Sequence, residues 1–233
     1  MVTFDCETYR IPTAADFLEP VVVDPIKPDK RFTDPAKIAA DIATKEAERE
    51  AEIARKTQAQ LDACSIDPYL SRIVSLGWCW PGDEIVTIRT CSTEAREAEA
   101  LREFWAVTVD PSTKHVVPLV GFNSRSFDLP LLMVRSRFLG VDAPILNIDR
   151  YRSPHPDVML ALTFNGALKP HKLSWYGKRF GLNVEDAFSG KEIAGLVEDG
   201  NWDAIAKHNE ADVLLTRGIA ERLGIIRKVG RVL

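Results

Sequence analysis

Two carboxylates flank a cysteine near the start of this sequence, Asp5-Cys6-Glu7. On an extended segment the period of two puts both acids on one face and Cys6 on the other. Side by side they repel, and the pair gains nothing unless a cation sits between them. For this feature alone, a strand with one solvated face is the plainer explanation. A second candidate is Gly121-Phe122-Asn123-Ser124-Arg125-Ser126-Phe127-Asp128, where an apolar run meets a helical pattern. Asp128 falls in the first helical turn and can simply complement the dipole, yet such junctions are also where open α/β sheets place ligands. The third candidate is the most informative. Ile205, His208, Asp212, Leu215, Ile219 and Leu223 step by three and four along one helix face, the face that must be buried. A buried carboxylate needs a base, several donors or a metal as its partner. A satisfied His–Asp pair meets that need for an isolated stripe. If Asp5, Glu7 and Asp128 converge on the same place, a metal centre meets it better. Four hard oxygen ligands suit Mg²⁺ or Mn²⁺ rather than zinc. They can hold two ions about 4 Å apart, as in phosphodiester cleavage, with His208 placed to orient the attacking water or take its proton.

Those residues need elements to hold them. Residues 2–8 alternate as a first strand, and residues 9–33 carry Pro12, Pro20, Pro25 and Pro28 in an irregular excursion. Asp34-Pro35 is an N-cap with a first-turn proline, opening a charged helix over 34–63 whose apolar stripe (Ile38, Ile42, Ile53, Leu61) is thin. Residues 71–80 and 84–90 are β-branched runs joined by Pro81-Gly82-Asp83, a hairpin signature. A helix over 92–107, a strand over 115–122 and a helix over 126–139 capped by Ser126 follow. Further helices are expected at 155–164, 173–180, 189–198 and 202–223. The pattern is α/β: a mixed sheet flanked by helices, with an inserted charged helix. One domain spans 1–233, with an insertion at about 10–66.

Composition bounds the function. The chain is 45% hydrophobic and 27% charged, which excludes disordered, collagen-like and disulfide-scaffold classes. No apolar run is long enough for a membrane span, and the acidic N-terminus lacks the pattern of a signal peptide. Four scattered cysteines (Cys6, Cys64, Cys79, Cys91) point to free thiols in a reducing cytoplasm. The net charge of −4 argues at first sight against nucleic acid. Between Val120 and Phe180, however, nine Lys/Arg face four Asp and no Glu, a local balance of +5, compatible with a basic rim around an acidic site.

Thr3-Phe4-Asp5-Cys6-Glu7-Thr8, Asn123-Ser124-Arg125-Ser126-Phe127-Asp128 and His208-Asn209-Glu210-Ala211-Asp212 resemble, in order and spacing, the three motifs of the DEDD (DnaQ-like) superfamily of 3′→5′ exonucleases. The likeness runs from Val2 to about Leu223 and is nearest to the proofreading domains of family-B DNA polymerases and to similar stand-alone exonucleases, often phage-encoded. Asp157-Val158-Met159, Lys172-Leu173-Ser174 and Gly181-Leu182 resemble that group too. The resemblance implies a ribonuclease-H-like fold with a mixed five-stranded sheet. It implies two Mg²⁺ or Mn²⁺ ions on Asp5, Glu7, Asp128 and Asp212, and nucleotide contacts from Thr8, Asn123 and Phe127. Arg125, Lys172 and Trp175 are further candidate strand contacts, although Trp175 could equally pack its helix. The implied partners are DNA 3′ ends and a separate polymerase subunit, in a bacterial or phage-infected cell. One branch of the superfamily ends Y-x-x-x-D and the other H-x-x-x-x-D; here the latter position is Lys207, and His208 stands at the tyrosine spacing. His208 shares Asp212's face and Lys207 is turned about 100° from His208, so His208 is the candidate catalytic residue. The expected activity is metal-dependent 3′→5′ hydrolysis of DNA ends in proofreading, replication or repair. The alternatives are an exoribonuclease or oligonucleotidase of the same superfamily, and a catalytically silent DNA-binding module that docks on a polymerase.

Overall fold

The computed structural model describes residues 1–27, 29, 31, 33–185 and 188–227; Pro28, on the irregular excursion, lies outside them. Four strands form one mixed sheet in the order β3-β2-β1-β4. The central strand β1 (Val2–Arg10) pairs antiparallel with β2 (Ser71–Cys79), which pairs antiparallel with β3 (Thr87–Thr90). On its other side β1 runs parallel to β4 (Leu119–Val120). The two faces of β1 separate as its alternation requires. Val2, Phe4 and Cys6 enter a core with Leu101, Phe104 and Trp105 of α2 (Glu94–Thr108) and Leu129, Leu131 and Leu132 of α3 (Asp128–Phe138). Asp5 and Glu7 face α7 (Trp202–Arg222) on the opposite side.

The hairpin is present, but its strands are tied by a longer connection than Pro81-Gly82-Asp83 alone. Asp83 closes a turn on Trp80 around Gly82, whose φ of +90° suits glycine, and regular pairing resumes only at Thr87. The expected strand over 115–122 shrinks to two residues. Pro118 has no N–H to give a ladder, and Val116 bridges back to Val109 instead. The fifth strand is a single parallel bridge, Gly121 to Asp157. Pro156 cannot donate, and Asp157 turns at once into the cap of α4 (Val158–Leu162), accepting from the Leu160 amide.

Ser126 does not cap α3. Phe127 takes the N-cap position without a side-chain bond, and the helix begins on Asp128 itself. The charged helix forms as α1 (Pro35–Ala63), with Asp34 accepting from the Ala36 amide and no residue fully buried. Part of the excursion lies against it: the Asp29 amide donates to Asp41, and Lys45 reaches the Lys27 carbonyl. Against α7 pack α5 (Leu173–Arg179) and α6 (Ile193–Glu198), and α6 also meets β1. The four cysteines are free and buried, and no helix among the described residues is long and apolar enough to cross a membrane.

Candidate active site

Three elements bring the carboxylates and the histidine together. β1 supplies Asp5 and Glu7, the first turn of α3 supplies Asp128, and α7 supplies His208 and Asp212. His208 is almost fully buried. Its Nε2 lies 3.4 Å from Glu7 Oε1 and 3.9 Å from Asp212 Oδ2. One ligand atom from each of these three residues fits within 4.8 Å of the others. Asp5 and Asp128 form the second part of the cluster. Burial pushes Asp5 up to about 6, against the opposing pull of His208 and a hydrogen bond from Asn209. Burial also holds Asp128 well above the usual carboxylate range, and the Asp5 charge raises it further. Two buried acids, one of them raised further by the charge of the other, gain from a cation placed beside them.

The donor set fits a hard divalent ion. The candidate donors are four carboxylates and one imidazole, of which Glu7, His208 and Asp212 lie within mutual reach, while Cys6 points away into the α2–α3 core. Burial, with Asp128, Asp5 and Glu7 nearby, keeps its proton on well above the ordinary thiol range.

Two residues that sequence reasoning did not select hold this geometry. Asn209, fully buried, donates through Nδ2 to Asp5 Oδ2 at 2.9 Å, while Ser75 Oγ donates to its Oδ1 at 3.1 Å. The serine thereby fixes which end of the amide faces the acid. Ser75 sits opposite Glu7, and Gly77 opposite Asp5, in the β1–β2 register. The signal was there in the steps 205, 209, 213, 216, 220, a second buried stripe beside the one carrying His208. At the far end of that first stripe, Leu223 is exposed instead of buried. The other missed residue is Asp157. Its carboxylate accepts from the amides of Asn123 (3.1 Å), Arg125 (3.1 Å) and Leu160 (3.2 Å), which shapes the loop leading into Asp128.

The expected strand contacts divide. A bulge follows Glu7, and the Thr8 hydroxyl is committed to the Ser65 carbonyl at 2.6 Å. Asn123 adopts a positive φ of 58°, with its amide tied to Asp157. Phe127 packs partly against the α2–α3 core, and Arg125 bonds through Nη1 to the Arg150 carbonyl at 2.7 Å. Lys172 is exposed at the N-cap of α5. Trp175, 42% exposed, stacks on His171 with ring centroids 4.0 Å apart and planes 15° from parallel, and Arg179 lies 6.0 Å from its ring.

The structure is similar to that of the family B DNA polymerase from the hyperthermophilic archaeon Pyrobaculum calidifontis, with a TM-score of 0.56 at 17% identity. The match covers 95% of this chain and 24% of the polymerase, so the chain spans about a quarter of that protein's length. At this identity the likeness speaks for the fold, which is ribonuclease-H-like. No curated protein matches the sequence. A family model described as a predicted 3′-5′ exonuclease related to the exonuclease domain of PolB matches residues 66–223, which include Asp128, His208 and Asp212. The match takes in most of the chain, which therefore belongs to this family of predicted 3′-5′ exonucleases related to the PolB exonuclease domain.

Proposed function

We propose that the chain is a divalent-metal-dependent 3′→5′ exonuclease that removes nucleoside monophosphates from single-stranded or frayed DNA ends, in proofreading, replication or repair. One observation carries the reading: β1 and α7, far apart in sequence, hold Glu7, His208 and Asp212 within 4.8 Å of one another, and Asp5 and Asp128 lie near enough for the charge of His208 to act on Asp5 and that of Asp5 on Asp128. Asp5, Glu7, Asp128 and Asp212 would hold two ions, Mg²⁺ or Mn²⁺. When bound, these supply a more acidic water and positive charge for the oxygen that leaves.

The chain's own groups supply the rest. Asn209 and Ser75 hold Asp5 in one orientation, and Asp157 holds the loop that presents Asp128. The His208 Nε2 lone pair can receive the proton of the attacking water, as its spacing suggests, or bind a cation, but not both at once. Exposed Trp175 with His171 offers a face on which an unpaired base can stack. Of the nine bases between Val120 and Phe180, Arg135 is buried in a pair with Glu97 and Arg125 is half-buried on backbone carbonyls. The other seven are exposed, against two exposed acids, Asp142 and Asp149, so the surface there keeps its positive balance.

The test is hydrolysis of 5′-labelled single-stranded DNA, mismatched duplex and RNA with Mg²⁺, Mn²⁺ or EDTA. A ladder shortening from the 3′ end, lost with EDTA and in Asp5→Ala, is expected. Intact DNA under every metal condition overturns the reading. RNA degraded while DNA is spared reassigns the substrate, and DNA bound but never cut leaves a docking module.

A further inference from the structure

His208 brings to the cluster what the four carboxylates lack, a nitrogen. It lies between Glu7 on β1 and Asp212 on its own helix, 4% exposed, with Nε2 3.4 Å and 3.9 Å from their carboxylate oxygens. Ligand atoms about 2.1 Å from a common ion stand about 3.0 Å apart at right angles and about 4.2 Å apart when opposite. Both separations fall inside that range. Among the described residues, Glu7, His208 and Asp212 form the group of three whose ligand atoms all lie within 4.8 Å of one another. The helix adds its own support. Two ligands at i and i+4 share a face one turn apart, the spacing by which a single helix chelates a metal, and Lys207 at the neighbouring position is exposed.

We infer that His208 Nε2 is a ligand of the ion held by Glu7 and Asp212, and that the centre consequently prefers Mn²⁺, or another borderline cation that accepts imidazole, to Mg²⁺. The inference rests on the reading of the cluster as a metal centre and goes beyond it in the ligand set and the choice of metal. Oxygen-only sites suit Mg²⁺, whereas an imidazole shifts selectivity toward the later divalent ions. A lone pair used in ligation is not available as a base, so the proton of the attacking water passes to solvent.

The experiment is electron paramagnetic resonance of the full chain, stripped with EDTA and titrated with Mn²⁺, with pulsed detection of nitrogen hyperfine coupling. Wild type is expected to bind Mn²⁺ with a ¹⁴N coupling that disappears in both His208→Ala and His208→Gln. Mn²⁺ affinity in these variants should fall at least about tenfold, the loss that removing even a supporting partner of a ligand can bring, and Mg²⁺ affinity should fall less. Mn²⁺ bound by wild type without nitrogen coupling overturns the inference and leaves the carboxylate centre standing. So does a variant of native circular dichroism that binds Mn²⁺ as tightly as wild type. No Mn²⁺ binding at millimolar concentration overturns the metal-centre reading and the inference with it.

Discussion

Asp5 is held near neutrality by burial and drawn toward its charged form by His208 and Asn209, so its protonation is tied to stability. Its folded value, about 6, lies above the ordinary 3.8. Between those two values the unfolded chain has released the proton while the folded chain still binds it. Stability therefore falls as pH rises from about 4 to about 6 and stays low above that. A bound cation would remove the penalty. In the presence of EDTA, Asp5→Asn is accordingly expected to melt higher than wild type at pH 7.5, by about 2–4 °C for each kcal/mol relieved. Near pH 3.5 the two should melt alike, and Mn²⁺ should stabilise wild type but not the variant. A variant that melts lower than wild type at pH 7.5 without metal would show that the Asp5 charge is already well compensated. Asp5-Cys6-Glu7 alone reads as a strand with one solvated face, and Asp5 becomes a site candidate only beside Asp128 and the stripe that carries His208 and Asp212. Asn209 and Asp157 were not legible as site residues, because their contributions run through hydrogen bonds to partners 134 to 204 residues away for Asn209, and to backbone amides for Asp157. The second apolar stripe marks Asn209 as buried, but nothing local in the sequence names the partners of such bonds.

At the scale of elements, the site depends on how closely α7 lies on the sheet. Gly77, opposite Asp5, is the point of closest approach: a Cβ there would meet Asn209 Oδ1 at 2.5 Å, Ile88 Cδ1 at 2.7 Å and Val213 Cγ2 at 3.0 Å. Neither the amide, locked by Ser75 and Asp5, nor the packed side chains can give way cheaply. Gly77→Ala should therefore lift α7, which carries His208 and Asp212, away from the strand that carries Asp5 and Glu7. The expected cost is about 1–3 kcal/mol of stability, as for other overpacked positions, together with a weaker affinity for divalent cations. Urea unfolding and a Mn²⁺ titration measure the two. Wild-type values for both would mean that helix and sheet slide without consequence. Apolar spacing is local, and α2 and α5 fall within two residues of their expected bounds, whereas α4 and α6 begin three and four residues later than expected. The short strands were not legible. β4 starts only after Pro118, the single Gly121–Asp157 bridge is confined by Pro156 and a capping aspartate, and β3 is limited to the stretch that pairs with β2, so sheet pairing is decided by the neighbouring strand and not by propensity.

For the whole molecule, α1 raises the question of what belongs to the folded body. Its 29 residues would extend about 44 Å at 1.5 Å per residue, with no residue fully buried. It meets the body at one end, where Thr8 bonds the Ser65 carbonyl, the Arg10 amide bonds Ser65 Oγ, and Arg10 pairs with Asp62 at 3.8 Å. The ion pair is half exposed and contributes little. The family match begins at residue 66, directly after this helix. The way back across the arm is also short: Gln60 Nε2 reaches the Glu19 carbonyl at 3.5 Å. Excising residues 20–59 and joining Glu19 to Gln60 through a short glycine-serine link should thus leave the sheet, α7 and the carboxylate cluster intact. The melting temperature is expected to stay within about 4 °C of wild type, the shift that roughly one kcal/mol produces in a chain of this size. Hydrolysis of short single-stranded DNA should continue, and any loss should appear only in processivity on long strands or in association with a polymerase. If the excised chain fails to fold, the arm is part of the core. If it folds but no longer cuts short strands, the arm contributes to the site itself. Either outcome would overturn the division into a nuclease body and a separable arm.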